Sequence, residues 1–287
     1  MRRLKDRILL LLIRLSAAAV CLLLVALLGY VLGRGLPDLS WRFLCGQTSY
    51  LKQTTGILPN ILNTLYLILV TMVIAAPLGI CTAIYLTEYA RSKKLVRLIS
   101  FATETLTGIP SILFGLVGML FFLRLMGLKA GILAGGLTLA IMVLPTMISN
   151  TKESLQNVSQ AWREGALALG SGKWHMVRTV VLPNAIDGIV TGGILAIGRI
   201  VGESAALLFT AGFGLALTGF LKSLQSSSAT LTVALYVYAS ERGDTQTAFA
   251  IASVLMILTL LLNLAANVAA KRLKTTHRKG AFHAKHH

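Results

Sequence analysis

Apolar positions along the chain gather into six long runs separated by polar intervals. Leu15–Gly33 is free of charge for nineteen residues, enough to cross a hydrocarbon core at about 1.5 Å of rise per residue. The second run extends from Leu58 to Thr87, with Pro77 inside it as an expected kink that neighbouring helices accommodate. The third has a charge-free stretch from Thr105 to Leu123, and Gly108-Ile109-Pro110-Ser111 is expected to loosen the helix near its start. Ala130–Asn150 is the fourth, where Gly131, Gly135 and Gly136 permit close helix contact. Ile186–Ala211 and Ala248–Ala270 are the fifth and sixth, and Leu231–Ala239 is too short for a seventh. The pattern predicts an all-α integral membrane protein with six transmembrane helices.

Between the fourth and fifth runs lies the longest polar interval, 150–184. Its part from Trp162 to Pro183 reads as two short helices, Ala161–Leu169 and Lys173–Leu182, parted at Gly170-Ser171-Gly172. Gly170 suits a helix C-terminus, and Pro183-Asn184 is expected to break the second helix just before the fifth span. Ala166, Leu167 and Leu169 suit a partner's groove, with Trp162 and Arg163 at its rim. An amphipathic linker lying on the membrane surface has the same periodicity, so the pattern alone leaves both readings open. Gly170-Ser171-Gly172-Lys173 imitates a phosphate-binding loop, but Leu167 stands where the first Gly belongs and Trp174 where Ser or Thr belongs.

Composition agrees with the class: 55% of the 287 residues are hydrophobic and 13% charged, well below the charged share of a water-soluble domain, and mean hydropathy is +0.77. The net charge of +17 does not point to nucleic acid, because Lys and Arg sit in short clusters between apolar runs. With both termini cytoplasmic, and Arg14 counted at the edge of the first span, eighteen of the 27 Lys and Arg fall in cytoplasmic segments: the chain before the first span, the Glu88–Arg97 loop, 150–184 and the tail 271–287. Residues 1–14 lead into a run longer than a signal-peptide core and without a small-residue cleavage site, so the first span is expected to be retained. The loop 34–56, with Pro37 and Trp41, suits a membrane-surface segment. Cys21, Cys45 and Cys81 have no metal-ligand spacing and no disulfide framework.

Two charges fall inside the fifth run. Arg199 and Glu203, expected at i and i+4 on one helix face, lie thirteen and seventeen residues in from Ile186, near mid-bilayer. Charges at that depth are costly and face a bundle interior or a water-filled path. A guanidinium matches phosphate oxygens, so Arg199 is a candidate substrate contact with Glu203 holding it; a neutralised pair that locks helices is the competing reading. Glu104 is a third candidate, with pairing to Arg97 or snorkelling as its plainer role.

Glu164, Ala166 and Gly170, then Val180, Leu182 and Pro183, fit the spacing E-A-A-x3-G-x9-I-x-L-P, with Gly165 for the first Ala and Val180 for Ile. In this the chain resembles the permeases of binding-protein-dependent ABC importers, whose segment at this place docks on the ATPase. The resemblance implies a coupling element of Trp162, Arg163, Glu164, Gly165, Ala166, Leu167, Gly170, Leu182 and Pro183. Further stretches resemble the phosphate-specific (Pst-type) permeases, the PstA type above all. They are Asn63-Thr64-Leu65, Ala76-Pro77-Leu78-Gly79 to Ala90, Gly108 to Gly115-Leu116, and Gly198 to Ala205. What this implies is a type I permease fold with a core over 57–270 and a peripheral first helix, in a prokaryotic inner membrane. The implied partners are a PstC-like second permease, two PstB-like ATPases carrying ATP-Mg, and an extracytoplasmic PstS-like phosphate-binding protein docking at 34–56 and 213–246. No cofactor or catalysis is expected in this chain. A permease for molybdate, sulfate or phosphonate, and a secondary transporter or channel without ATP, are the alternatives.

Overall fold

A computed structural model describes the backbone of residues 2–49 and 54–283 and the side chains of 5–48 and 54–268. Lys52, residues 284–287 and the basic side chains of the tail, all part of the expected charge pattern, lie outside the described residues.

The apolar runs form helices, the third and fifth of them each broken into two, because a backbone surrounded by hydrocarbon must satisfy its own N–H and C=O groups. Helix α1 (Arg2–Gly35) already begins within the basic segment 1–14. A 3-10 turn, Leu36–Asp38, and a short helix α2 (Trp41–Cys45) follow. The expected loop then contains strands β1 (Gln47–Ser49) and β2 (Thr54–Ile57), an antiparallel pair with a register irregularity between Gln47 and Ser49. Among the described residues this hairpin is the departure from an all-helical chain. Helix α3 (Leu58–Ile84) ends in a wider π-type turn, Tyr85–Tyr89.

The third span differs most from expectation. Gly108-Ile109-Pro110 does more than loosen a helix: it separates α4 (Lys93–Thr107) from α5 (Ser111–Gly118, continued by a π-type turn to Leu125), and the two meet at 102°. Residues 93–97, read as loop, are the first turns of α4. Helix α6 (Ile132–Gln156) carries Pro145 in its interior. It is followed by α7 (Gln160–Ala168), α8 (Lys173–Met176), a π-type turn Val177–Val181 and α9 (Leu182–Gly202).

The break expected at Pro183-Asn184 is absent, and Lys173–Gly202 runs as one apolar helical stretch. A proline ring crowds the carbonyl four residues back and offers no N–H; the wider turn at Val177–Val181 lies where that conflict falls. Asn184 Nδ2 donates to the Val180 carbonyl at 2.7 Å. Beyond α9 come α10 (Ala205–Thr210), α11 (Phe220–Ser223), α12 (Leu231–Tyr236, with a π-type turn to Glu241) and α13 (Thr245–His283). The segment read as a cytoplasmic tail from Lys271 continues α13 as far as His283. Among the described residues, five helices are long and apolar enough to cross a membrane, and the bent α4/α5 pair, taken as one span, supplies a sixth.

The centre of the bundle is α3 against α6. Small residues bring the two close: a side-chain carbon on Gly79 would stand 2.7 Å from Met147 Cβ, and one on Gly136 would stand 2.6 Å from Val70. Leu67, Ala75, Leu139, Met142, Val143, Ala196, Ile200 and Leu207 fill the shared core. On the other side of α6, Gly192 of α9 faces Asn150, where an added carbon would lie 2.8 Å from Asn150 Cβ. Helix α1 lies at the edge, packed on α13 through Tyr30–Phe249 and a Ser253 hydroxyl donating to the Val31 carbonyl at 3.2 Å. The polar start of α3 fixes the segment before α12. Asn60 and Asn63 donate to the Ala229 carbonyl, and Leu231 N–H donates to Thr64 Oγ1 at 3.0 Å.

Candidate functional site

Helix α7 sits at the end of the bundle where α3 and α6 finish and α8 begins. It ends at Gly170, whose φ of 78° is the left-handed conformation that glycine takes without steric cost. Ser171 N–H donates to the Ala166 carbonyl at 3.1 Å and Gly170 N–H to Leu167 at 3.0 Å, the paired bonds of a Schellman terminus. The Gly170–Lys173 sequence is therefore a helix stop followed by a helix start. Lys173 Nζ lies 5.1 Å from the centre of the Tyr89 ring.

The faces of α7 divide differently from the sequence reading. Trp162 is 59% exposed and Leu169 90%, while Leu167 is half-exposed and Glu164 and Gly165 point outward. Ala166, expected to enter a partner's groove, packs inward on the cluster of Ala83, Ile84, Leu155, Val158, Met176, Val177 and Val181. Leu182 packs on the same cluster, and Pro183 is half-buried in the first turn of α9. Between α7 and the start of the next helix lies a shallow apolar depression of ≈ 480 Å³, lined by Ala161, Trp162, Gly165, Ala166, Leu169 and Val180. The outward surface is thus a shallow groove with Trp162 and Leu169 at its wall.

Arg163, expected at the rim, turns inward. Its Nη2 and Nε donate to Glu88 Oε1 at 2.9 and 3.0 Å, its Nη2 also to the Leu155 carbonyl at 2.7 Å, and its Nη1 to the Val158 carbonyl. The side chains of the pair are only 12% and 6% exposed. The physical reason is spacing: residues 163 and 166 are three apart on one helix face, so the face that buries Ala166 also buries Arg163. A buried guanidinium must find acceptors, and the end of α6 and the last turn beyond α3 supply them. Glu88 is the functional neighbour missed from sequence. It is the lone acid of the basic Glu88–Arg97 stretch, a hint that it is paired, but nothing local says that its partner lies 75 residues on.

The other candidates are not gathered as expected. Helix α9 ends at Gly202, and Glu203 has extended backbone (φ −83°, ψ 124°), so Arg199 and Glu203 do not share a helix face. Glu203 Oε1 accepts from Ala206 N–H at 3.1 Å, capping α10, and its carbonyl accepts from Thr232 Oγ1 at 2.8 Å. The cause is competition: where the helix stops, the carboxylate takes the next helix's unsatisfied N–H instead of reaching back. No ion pair joins it to Arg199 among the described residues. Arg199 is half-buried in the last turn of α9, where the helix carbonyl ends favour a cation. Glu104 is exposed on α4 and makes no ion pair with Arg97 among the described residues.

The sequence profile of the family described as "Binding-protein-dependent transport system inner membrane component" matches residues 75–275. A probable ABC transporter permease protein of Bacillus subtilis, YqgI, is 38% identical over 211 residues, covering 74% of this chain and 72% of that protein. The phosphate transport system permease protein PstA of Pasteurella multocida is 30% identical over 269 residues, covering 93% of this chain and 95% of its own length. Among solved structures, a bacterial ABC transporter involved in import of the acidic polysaccharide alginate superposes with a TM-score of 0.65. That likeness spans 95% of this chain and 99% of the other at 15% identity, and it speaks to fold alone.

Proposed function

The chain belongs to the binding-protein-dependent transport system inner membrane component family, and on that premise we infer that it is the PstA-type permease subunit of an ATP-driven importer of inorganic phosphate. The observation that carries the substrate is the 30% identity along nearly the whole length of a phosphate permease. The chain itself is a transport component and hydrolyses nothing. In this reading it sits in a prokaryotic inner membrane with both termini cytoplasmic. A PstC-like permease lies beside it, two PstB-like ATPases hold ATP-Mg beneath, and a PstS-like protein delivers phosphate from outside.

The working parts follow from the geometry. An ATPase groove or ridge meets the outward face of α7, where Trp162 and Leu169 stand exposed. Closure of the two ATPases displaces α7, and the helices it is attached to carry the displacement across the membrane, giving alternating access. Arg199, in the last turn of α9 and without a carboxylate partner in this chain's described residues, offers its guanidinium to phosphate oxygens. Glu203 shapes the turn that follows. Glu104, on the exposed face of α4, lines the approach.

The partner set is tested by purifying the tagged chain from gently solubilised membranes and identifying what comes with it by mass spectrometry. A second, different permease and an ATPase are expected in one complex. Recovery of this chain alone, or of a self-paired oligomer with no ATPase, would contradict the assignment.

A further inference from the structure

Helix α7 is joined to α6 and to α8 by short stretches of chain, 157–159 and 169–172, so a push on α7 reaches those helices through the backbone. Helix α3 has no such connection. Its polar link to α7 is the Arg163–Glu88 pair, beside the apolar cluster that holds Ala83 and Ile84 and on which Ala166 packs.

We propose that the Arg163 fork is a strut that makes α3 move with α7, with Glu88 as the positioning residue at its far end. Three features support this. The fork grips two helix ends at once, α3 through Glu88 and α6 through the carbonyls of Leu155 and Val158. Both side chains are largely withdrawn from water, so the charge-assisted bonds are weakly screened. Above the strut, α3 and α6 are packed too closely to slide freely, with Gly79 against Met147 and Thr71 Oγ1 donating to the Gly136 carbonyl at 3.4 Å. Gripped together at the α7 end and interlocked along their length, α3 and α6 behave as one lever.

The strut rests on the transport reading, and its test separates the two. The full complex, with its binding protein, is placed in vesicles, and ATP hydrolysed is measured against labelled phosphate delivered. Glu88→Ala cuts α3 from the strut while leaving Arg163 on the α6 carbonyls. It is expected to raise the ATP consumed per phosphate roughly tenfold, within the usual span of coupling between sites, with the ATPase still bound and still hydrolysing. Glu88→Gln, which keeps an acceptor but loses the charge, falls between. An unchanged ratio in both variants overturns the strut. So does a loss of ATPase from the complex, which would make the pair a purely structural contact. A wild-type complex that hydrolyses ATP but moves no phosphate would remove the transport reading, and the strut with it.

Discussion

Arg199→Gln is expected to cut phosphate uptake sharply in an otherwise intact importer, while Glu203→Gln is expected to leave most of it. The contrast comes from where the two side chains sit. Had they formed a pair on one helix face, removing either would strand the other as an uncompensated charge, and both variants would fail alike. Instead Glu203 is occupied as a cap, accepting from Ala206 N–H at 3.1 Å. A Gln carboxamide oxygen accepts that bond nearly as well, so the turn into α10 survives. Arg199 keeps its charge at the end of α9, half-buried and without an ion pair among the described residues. Gln retains much of its volume but none of its charge or forked donors. A hydrogen bond to a charged group contributes about 1.5–3 kcal/mol, so losing the charged, forked donor is expected to slow phosphate transfer across the bundle by roughly ten- to a hundredfold. Equal losses in the two variants, with uptake followed by labelled phosphate and assembly by co-purification, would return the pair to a structural role.

Trp162→Ala combined with Leu169→Ala is expected to separate the permease from the proposed ATPase. Both side chains are largely exposed, at 59% and 90%, so truncating them leaves the packing of α7 on the bundle as it is. Their loss falls on whatever covers them. A buried interfacial Trp often contributes about 2 kcal/mol or more, so with Leu169 a loss of about 3 kcal/mol, over a hundredfold in affinity, is expected. The check is the amount of ATPase retained on the tagged permease, beside the permease's own thermal stability. Unchanged retention would mean that the docking surface lies elsewhere; a parallel fall in thermal stability would mean that the two residues serve the fold.

Much of the architecture could be read from the chain because membrane helices announce themselves by length and charge avoidance. The second, fourth and sixth apolar runs became α3, α6 and the first part of α13. Gly170 terminates α7 as its conformational freedom suggests. Proline was the poorer guide. Pro183 is expected to break a helix, and the chain absorbs it with a wider turn that ends two residues earlier, beside the packing around Met176, Val177 and Val181. Near Gly108-Ile109-Pro110 the local signal was right and its size was not: 102° is more than loosening. The end of α9 at Gly202 falls inside the fifth run, where the sequence places Glu203 one helical turn beyond Arg199. Helical periodicity was enough to place Arg163 and Ala166 on one face of α7 but not to say which face is buried. That depended on Glu88, which sits 75 residues away in sequence.

Labelled phosphate uptake into vesicles holding the complete complex tests the reading of this chain as half of a phosphate gate driven by a separate ATPase. ATP is supplied on the side of α7 and the loaded binding protein on the other, with sulfate or molybdate in excess as competitors. Accumulation is expected to need both ATP and the binding protein and to be undiminished by the competing oxyanions. Accumulation without ATP, or transport of sulfate or molybdate with phosphate left outside, would contradict it.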